Sequence, residues 1–504
     1  MHLPASPTEE ALAAELAGVR PALGPSYAAA LGGARAAVLT RLWRALAYEP
    51  LPWVVGRERG PDGLTLRLAG GARLEGPLPD PYATRPYVEE LLLDSRPYRQ
   101  AARLVAALGV PHGEEFAAEL DGSTASLALS RAGQPPAGQD AGPRSTWEWE
   151  QRVVDGHPYH PNCRSRPGFS VAEQLAYAPE HRPVVGLGLV AVRAEECLVT
   201  GEWPAELRDA GRILVPVHPW QAAHALKHER VQGGFAAHPL MALRTLAPAD
   251  GGAHVKTALS TRLTSSVRDI SVYSIETAAG VSAFAQTLSE RLDGRLHITR
   301  TLGAASAHSP DLAAVLREPP EAYADAAAGE RVLPVAALAA FPPARSAAWR
   351  AEFARLALSV CLRVLELGVA LEAHGQNLLV VLSATGAPLR LVYRDLADIR
   401  ISPARLVRHG LPVPPLSGRL ITDDVALLRR KLFGSLLTGA LGATAGSAGA
   451  FAEALAEAVA LPPTADTEAL LTGRLPTKAL TLMRLSPGVP GDQWAELPNP
   501  LTGG

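Results

Sequence analysis

The stretch His157-Pro-Tyr-His-Pro-Asn-Cys-Arg-Ser-Arg-Pro-Gly-Phe-Ser170 places two imidazoles and two guanidiniums within ten residues. Pro158 and Pro161 prevent a helix there, so the stretch is predicted to be a turn or loop. Arginine binds phosphate through two parallel hydrogen bonds, and a turn keeps the side chains from folding back onto their own backbone. The stretch therefore predicts a polyanion site, although a polar surface loop with an incidental His-x-x-His explains the same residues equally well.

The composition is that of a folded protein with more than one domain. The chain has 504 residues, of which 47% are hydrophobic and 19% are charged. This length exceeds the size at which a single core usually stops growing, so two or three domains are expected. The net charge of −2 gives no overall field directed at nucleic acid or at an acidic membrane.

Several absences in the sequence predict a cytoplasmic protein with no membrane contact. The three cysteines, Cys163, Cys197 and Cys361, are too few and too scattered for a disulfide framework or a zinc ribbon. The first residues lack the basic and apolar regions of a signal peptide. No stretch of about 18 uncharged apolar residues is found.

Lysine is scarce in this chain. Of the 48 basic residues, only Lys227, Lys256, Lys431 and Lys478 are lysines. Genome composition is the simplest explanation for the bias towards arginine and alanine. Under that bias, a lysine is expected to remain where a compact ammonium does something that a guanidinium cannot.

Hydrophobic periodicity and turn residues divide the chain into three parts. The Gly- and Pro-rich segment 131–143 is predicted to be the first boundary, and the Ala- and Pro-rich segment 319–345 the second. Helices are predicted at 9–17, 27–47, near 86–108 and at 347–367. Strands are predicted at 53–55, 64–68, 183–192, 213–217, 271–275 and on both sides of 385–386, and helices follow that last pair of strands to about 485.

A second segment, Lys256-Thr-Ala-Leu-Ser-Thr-Arg-Leu-Thr-Ser-Ser-Val-Arg-Asp269, combines basic side chains with hydroxyls. Its first half alternates like a strand, and 264–268 is predicted to be a turn. Hydroxyls and backbone donors at a turn before an arginine form an anion cradle, although the Gly-x-x-x-x-Gly-Lys spacing of a Walker loop is absent. The alternative is an exposed edge strand with solvated charges.

A third segment, Glu372-Ala-His-Gly-Gln-Asn377, precedes a predicted hairpin that ends at Arg394-Asp395. Residues just before the first strand and just after the second lie side by side in such a hairpin. Glu372 or Asn377 can therefore meet Asp395 and supply oxygen ligands for a Mg²⁺ that bridges nucleotide phosphates. Protein kinases place an Asn and an Asp around a similar hairpin.

Two further segments indicate a function less specifically than the motifs above. His218 and Trp220 follow a predicted strand, and we expect a structural role in which Trp220 packs and His218 bonds a carbonyl. Lys478 is predicted to lie on a late helix, where its scarcity favours a contact with a carboxylate.

Together these motifs resemble the NRPS-independent siderophore synthetases, the aerobactin synthetase (IucA/IucC) family. The family pattern runs Gly-His-Pro-x-His-Pro-x-x-Lys-x-Arg-x-Gly, His-Pro-Trp-Gln, Lys-x-Ser-x-x-x-x-x-Thr-Ser-x-x-Arg, His-Gly-Gln-Asn and Arg-Asp. The resemblance covers about residues 40–501. The motifs occur here in the same order at 156–168, 218–221, 256–268, 374–377 and 394–395, and the terminal 494–501 is also similar.

The resemblance implies an α+β fold with a three-part cupped-hand architecture. It implies a thumb at 1–143, fingers at 144–340 and a palm at 341–504, with mixed antiparallel sheets and a largely helical C-terminal region. It also implies ATP-dependent adenylation of a carboxylate, such as citrate or a citrate-derived or dicarboxylic acid. A polyamine, amino acid or alcohol then captures the acyl group. A homodimer is the common assembly.

The resemblance further implies which residues form the site. It implies that Glu372 and Asp395 hold Mg²⁺. It implies catalytic roles for His160, Arg268, His374 and Lys478, and ATP contacts from His160, Arg164, Arg166, Lys256, Thr264, Ser265, Ser266, Arg268, Gln376 and Asn377.

The chain departs from the family pattern at three places. Arg164 stands where lysine is usual, and Asp269 replaces a threonine beside the expected phosphates. The segment 277–282 lacks the basic residue of the expected turn, which leaves Arg291 only loosely assigned as the next arginine.

Two alternatives remain open. A kinase-like phosphotransferase would use Arg394-Asp395 and release ADP instead of AMP and pyrophosphate. A non-enzymatic metal- or siderophore-binding protein would use His157 and His160, but the adjacent prolines and few soft ligands argue against it. No Ser-His-Asp or Cys-His arrangement indicates an acyl-enzyme, so direct attack by the nucleophile is expected.

Overall fold

The computed structural model describes residues 3–136, 142–227, 229–263, 266–458 and 461–502. These residues form a mixed helix and sheet protein, which confirms the predicted α+β class. Thr264 and Ser265 lie outside the described residues, as does the side chain of Ser266. The predicted thumb, fingers and palm boundaries stay predictions.

In the first part of the chain, up to residue 136, helices pack on an antiparallel sheet. Its core is formed by apolar residues at helical spacing in the two long helices, among them the fully buried Leu39 and Trp43. The described strands pair in the order β1-β2-β3-β4-β5. The elements are α1 (Pro7–Val19), α2 (Gly24–Tyr48), β1 (Val54–Arg59), β2 (Leu64–Leu68), β3 (Arg73–Gly76), β4 (Leu91–Leu93), β5 (Arg96–Tyr98), α3 (Ala101–Leu108) and α4 (Gly113–Ala132).

The helix predicted near 86–108 is wrong over its first half. The strands β4 and β5 occupy that half, and only Ala101–Leu108 is helical. Asp94 and Ser95 connect the strands with φ values of 49° and 65°. Two successive left-handed residues form the tight turn that suits a hairpin, and short polar side chains tolerate them best.

The middle part is built on a large sheet. Its described strands follow the order β7-β16-β17-β12-β11-β10-β6-β9-β8. The helices are α5 (Thr146–Glu150), α6 (Val171–Tyr177), α7 (Pro219–His224) and α8 (Val272–Ser289). The strands are β6 (Val185–Arg193), β7 (Leu198–Gly201), β8 (Arg208–Asp209), β9 (Arg212–Val217), β10 (Val231–Pro239), β11 (Thr245–Pro248), β12 (His254–Thr257), β13 (Leu259–Leu263), β14 (Ser266–Arg268), β15 (Leu296–Ile298), β16 (Thr301–Ser306), β17 (Ala313–Arg317) and β18 (Arg331–Pro334).

Two local predictions in the middle part are wrong. The strand predicted at 271–275 is the start of α8, because Ser271 caps the helix by accepting a hydrogen bond from the Ser274 backbone N–H. Residues 266–268 form β14 instead of a turn, and Val267 pairs with Arg262 of β13.

The last part begins with α9 (Ala347–Leu367), whose predicted limits are confirmed. Gly368 ends this helix at a φ of 116°, which a side chain would strain. A π-helix (Gly434–Gly442) follows α11 without a break. The other elements are β19 (Val369–Ala370), β20 (Leu378–Leu382), β21 (Pro388–Tyr393), β22 (Arg400–Ile401), α10 (Pro403–Arg408), α11 (Val425–Phe433), α12 (Ala443–Ala445), α13 (Ala448–Ala458), α14 (Ala465–Thr472), β23 (Leu475–Lys478), α15 (Leu480–Leu485) and β24 (Trp494–Leu497).

The three parts share their cores. The strands β15 and β18 pair with the hairpin of the last part in the order β15-β21-β20-β18, so this sheet crosses residue 340. The end of the chain returns to the first part, where Ala479, Leu482 and Leu485 join its core. None of the helices in the described ranges has both the length and the apolar character needed to cross a bilayer.

Candidate active site

A cavity of about 1250 Å³ lies where the three parts of the chain meet. This volume exceeds that of most small-molecule sites, so a nucleotide and a second substrate can occupy it together. Its lining includes the predicted site residues with described side chains: His160, Arg164, Arg166, Lys256, Arg268, Glu372, His374, Gln376, Asn377, Asp395 and Lys478.

The two predicted catalytic histidines have the same backbone contact. The Nδ1 atom of His160 accepts a hydrogen bond of 3.1 Å from the Asn162 backbone N–H, and that of His374 accepts one of 3.2 Å from Gln376. An acceptor at Nδ1 places the proton of a neutral imidazole on Nε2. Both side chains therefore present an N–H donor.

The Nε2 atom of His160 is a hydrogen-bond donor in this tautomer. This atom is buried and has no hydrogen-bond partner among the described residues. Burial, with contributions from Arg484 and Arg268, lowers the pKa of His160 to about 3. Because a buried unpaired donor is costly, this atom is expected to meet an acceptor on a bound ligand.

Asp395 lies at the centre of a cluster of basic groups. Its carboxylate is 2.8 Å from Lys256 Nζ and 2.9 Å from Arg317 Nη2. Although burial acts in the opposite direction, Arg317 and Lys256 hold the pKa of Asp395 well below its usual range. Burial also lowers the pKa of Lys256 to about 7, and Arg317 and Arg244 contribute to that shift.

The residue Glu372 forms a second charged cluster in the cavity. Its Oε1 atom is 2.9 Å from Lys431 Nζ and 3.1 Å from Lys478 Nζ. Despite the opposing effect of burial, Lys478 and Lys431 lower the pKa of Glu372. Burial likewise opposes the shift at Lys478, whose pKa is raised by Glu372 and then by Asp492. The expected contact between Lys478 and a carboxylate is confirmed, but Lys478 ends strand β23 and the predicted helical position is wrong.

The hairpin brings the two clusters together as its topology predicted. Leu378 of β20 pairs with Tyr393 of β21, which places the residues before and after the hairpin side by side. The Tyr393 hydroxyl accepts a hydrogen bond of 3.2 Å from the Glu372 backbone N–H and donates one of 3.3 Å to the Asp395 carbonyl.

The arrangement fits a nucleotide more directly than a lone metal ion. In the part of the chain that the structure describes, no three His, Cys, Asp or Glu side chains are grouped to hold a metal. Glu372 and Asp395 each contact basic side chains instead. Carboxylate oxygens suit Mg²⁺, which commonly takes one or two of them together with phosphate oxygens, so these residues fit the ion only alongside a bound phosphate.

Some predicted residues also have structural partners. Arg166 Nη2 is 2.5 Å from Oε1 of the buried Glu180, and Arg164 Nη1 lies 3.6 Å from the other oxygen. Both arginines line the cavity, but Glu180 offsets their charge. The Arg394 side chain pairs at 2.7 Å with the buried Glu150, so the arginine of the Arg-Asp motif connects the last part of the chain to the middle one.

The structural role expected for His218 and Trp220 is only partly confirmed. Trp220 stacks on Phe169 with ring centroids 5.0 Å apart. His218 accepts a hydrogen bond of 3.1 Å from the Trp220 backbone N–H, so the expected bond to a carbonyl is wrong. A ring nitrogen that accepts this N–H caps the first turn of α7.

The structure shows the environment of the positions at which the chain departs from the family pattern. Residues 277–282 are helical within α8, so the turn of the family pattern does not form at this place. Arg291 lies in a short 3₁₀ helix, Glu290–Leu292, outside the described lining of the cavity. The carbonyl of Asp269 accepts a hydrogen bond of 2.7 Å from Arg244 Nη1.

The sequence motifs missed several basic residues of the cavity, and three of them contact the predicted site residues. Arg244 follows β10, Arg317 ends β17 and Lys431 lies on α11. The scarcity of lysine was a signal for Lys431, which is 3% exposed. Arg244 and Arg317 had no distinguishing pattern in the sequence.

Helix α15 is fixed to the first part of the chain by two carboxylates. Glu49, which follows α2, accepts hydrogen bonds from the backbone N–H groups of Thr481 at 3.2 Å and Leu482 at 2.7 Å. Arg484 Nε donates one of 2.9 Å to Glu119 on α4. This helix follows directly after the strand that carries Lys478.

The buried Glu49 predicts a pH-dependent stability. Burial raises the pKa of Glu49 to about 7, whereas an unfolded chain has a value of about 4.3. The stability that Glu49 contributes is therefore complete below about pH 4.3 and is lost as the pH rises through 7. In thermal denaturation, the Tm of Glu49→Gln minus that of the wild type is expected to increase from pH 5 to 7 and then level off. A difference that does not vary with pH would contradict this assignment.

Comparisons with known proteins agree with the geometry. Residues 145–340 match the model described as IucA / IucC family. Over these residues, the chain is similar to the IucA / IucC family. Residues 347–487 match a second model, described as ferric iron reductase FhuF-like transporter.

Curated relatives match part of the chain. A 2-[(L-alanin-3-ylcarbamoyl)methyl]-3-(2-aminoethylcarbamoyl)-2-hydroxypropanoate synthase of Staphylococcus aureus is 24% identical over 336 residues, which are 53% of each chain. The rhizobactin siderophore biosynthesis protein RhbC of Rhizobium meliloti is 31% identical over 153 residues, which are 24% of this chain and 26% of its own. The chain thus spans about half the length of the first of these relatives and about a quarter of the second.

Solved structures show the same fold over nearly the whole chain. The petrobactin biosynthesis protein AsbB of Bacillus anthracis has a TM-score of 0.77 at 18% identity and covers 99% of this chain and 98% of its own. The ATP-bound aerobactin synthetase IucA of Klebsiella pneumoniae has a TM-score of 0.75 at 19% identity, with coverage of 93% and 99%.

Proposed function

We propose that this protein is an ATP-dependent siderophore synthetase. It would join a carboxylate, such as citrate or a citrate-derived or dicarboxylic acid, to AMP and then to an amine or alcohol, with release of AMP and pyrophosphate. The observation that carries the proposal is the meeting of three separated motifs, represented by His160, Lys256 and Asp395, around one cavity. The family match and the ATP-bound structural relative add support.

The phosphate-binding role follows from unsatisfied and clustered groups. The unpartnered Nε2 donor of His160 and the cluster of Lys256, Arg244 and Arg317 offer hydrogen bonds and positive charge to a triphosphate. Such groups stabilise the negative charge on the phosphoryl oxygens while the carboxylate approaches the triphosphate, which is also an anion. Bound ATP supplies the phosphorus centre and the pyrophosphate leaving group.

His374 and Lys478 would act at the carboxylate. Burial and Lys478 lower the pKa of His374, so its imidazole is neutral and donates from Nε2. Lys478 stays protonated because Glu372 raises its pKa. Both groups therefore orient an anionic substrate, and proton removal from the attacking amine would fall to another acceptor such as the departing phosphate.

We propose that Glu372 and Asp395 hold Mg²⁺ together with the nucleotide phosphates. The ion would offset phosphate charge during the transfer. Arg164, Arg166, Gln376, Asn377, Arg268 and the 264–266 segment keep their predicted ATP contacts as part of this proposal. A cytoplasmic location, a homodimer and a small-molecule amine or alcohol as second substrate also belong to it.

The pKa of Lys256 gives this proposal a pH test. An ammonium with a pKa of about 7 is increasingly neutral above that pH, so affinity for ATP is expected to fall as the pH rises from 7 to 9. Arginine remains protonated throughout this range. The KM for ATP is therefore expected to rise with pH in the wild type and to stay flat in Lys256→Arg. Parallel profiles in the two proteins would show that Lys256 does not contact the nucleotide.

Product analysis tests the proposed function as a whole. Pyrophosphate and AMP release would be measured with citrate, 2-oxoglutarate and succinyl compounds, each against a panel of polyamines. Carboxylate-dependent pyrophosphate release is the expected result. Release of ADP would instead indicate the phosphotransferase alternative. If no carboxylate stimulates turnover, metal analysis of the purified protein tests the binding-protein alternative.

A further inference from the structure

One helix holds the Glu-Ala-His segment in place through both side chain and backbone. Lys431 Nζ lies 2.9 Å from Glu372 Oε1. One turn later, Ser435 Oγ accepts a hydrogen bond of 2.9 Å from the Ala373 backbone N–H. The same helix therefore fixes two consecutive residues of the predicted site segment.

The helix changes geometry where it meets this segment. The π-helix Gly434–Gly442 begins directly after α11, and π-helical turns are rare and frequently occur at functional sites. A Cβ built on Gly439 would lie 3.3 Å from His374 Cβ, which is a tight contact. Lys431, Ser435 and Gly439 are spaced by four residues, and they meet Glu372, Ala373 and His374 in order.

Lys431 has no role in the proposed phosphate or carboxylate contacts. It is 3% exposed, and a buried ammonium is costly unless it is paired. It pairs with both Glu372 and Asp398, and Asp398 follows Asp395 by three residues. Lys431 thus connects the segments before and after the hairpin at a buried position in the cavity lining.

The Lys478 ammonium is held by the same oxygen of Glu372 that contacts Lys431. Glu372 Oε1 accepts from Lys431 on the buried side and from Lys478 on the other. The Lys478 side chain is 31% exposed, whereas that of Lys431 is 4% exposed. The position of the exposed ammonium therefore depends on a carboxylate that the buried one holds.

We propose that Lys431 is a positioning residue that holds Glu372 and, through it, sets the position of Lys478 in the cavity. The inference rests on the proposed ligase function, because Lys478 matters to catalysis only if a carboxylate binds beside it. Ser435 and Gly439 support the same segment through the backbone and through close packing. Lys431 acts through Glu372 and not on the substrate.

Lys431→Met removes the charge and keeps most of the side-chain volume. We expect kcat for pyrophosphate release to fall about tenfold, as is typical when a group that orients a site residue is lost. The KM values for ATP and for the carboxylate are expected to stay within about threefold.

The matched control is Arg430→Met on the same helix, because Arg430 is exposed and lies outside the cavity lining. It is expected to keep the wild-type kcat and KM values. A rise in the carboxylate KM with an unchanged kcat in Lys431→Met would show direct substrate binding and overturn the positioning role. Wild-type kinetics in Lys431→Met would overturn it as well.

Because the chain has only four lysines, NMR of their side chains tests the inference without an activity measurement. With ¹⁵N-labelled lysine, the side-chain NMR signals come from only four residues, and the Lys478 signal is assigned by its loss in Lys478→Met. This signal is expected to shift in Lys431→Met and not in Arg430→Met. An unchanged Lys478 signal overturns the inference even if the enzyme is active. A shifted signal in a protein without ligase activity would reject the proposed function but keep the contact.

A second variant covers the case in which Lys431→Met does not fold. Ser435→Ala removes the hydrogen bond to the Ala373 backbone N–H without changing any charge. It is expected to lower kcat about tenfold, at the lower end of the range for such supporting contacts. An unchanged kcat in Ser435→Ala would overturn the supporting role of this helix.

Discussion

His160→Ala is expected to reduce carboxylate-dependent pyrophosphate release by about 100-fold or more, the effect of losing one donor to a developing negative charge. The Nε2 donor of His160 is buried, unpartnered among the described residues and held in one tautomer by the Asn162 backbone. Alanine cannot replace that donor, so the loop that carries residue 160 would lose its proposed hydrogen bond to the phosphates. A continuous pyrophosphate assay with saturating ATP and carboxylate measures the loss.

The control for this variant is His224→Ala. His224 is 41% exposed and pairs with Glu173 at the surface, where such pairs contribute little. Arg268→Ala is expected to lose activity to a similar extent as His160→Ala, because both lie in the same cavity and Arg268 lowers the pKa of His160. Unchanged folding would be checked by circular dichroism. Turnover of His160→Ala at the wild-type rate would remove the phosphate-binding assignment.

Arg394→Met is expected to destabilise the protein by about 3–5 kcal/mol, which is the usual cost of leaving a buried charge without its partner. Arg394 pairs with Glu150 at 2.7 Å, and the side chain of Glu150 has no solvent exposure. The arginine also donates a hydrogen bond of 3.0 Å to the Gln376 carbonyl. Loss of Arg394 therefore removes a contact between the middle and last parts of the chain. It also removes a hydrogen bond to the backbone of the predicted site segment. The midpoint of urea denaturation measures the change.

Arg193→Met is the matched control. Arg193 forms an ion pair with Glu196 in which the two side chains are 59% and 52% exposed, so its loss is expected to cost less than about 1 kcal/mol. Equal midpoints for Arg394→Met and Arg193→Met would mean that the buried pair does not hold the parts together. The two residues of the Arg-Asp motif are thus expected to differ, with Arg394 acting on stability and Asp395 on activity.

Local sequence signals predicted several elements well. The helix Ala347–Leu367 has apolar residues at helical spacing and a glycine after its last turn, and its limits agree with the prediction. The errors arose where two local signals compete. Residues 271–275 have the β-branched and aromatic residues of a strand, but Ser271 caps a helix that continues to Ser289. Near residue 94, the hairpin depends on two left-handed residues that periodicity does not reveal.

The sequence also predicted some residues of the candidate site and missed others. The motifs with His160, Lys256, His374 and Asp395 stand out because polar and charged groups are concentrated in short stretches. Arg317 does not stand out, because a single arginine at the end of a strand has no local signature. Its 2.9 Å contact with Asp395 depends on how β17 packs beside the hairpin.

The sequence by itself determined the chemistry that the chain has available: short segments with imidazole, ammonium, guanidinium, hydroxyl and carboxylate groups in a recognisable order. It also determined the local elements with strong helical or hairpin patterns. Only the tertiary structure decided which charges face one another, as in the pairing of Lys256 with Asp395 and of Lys431 with Glu372. The reason is physical: the energy of an ion pair and the pKa of a buried group depend on distance and desolvation, and both are set by packing between segments far apart in the chain.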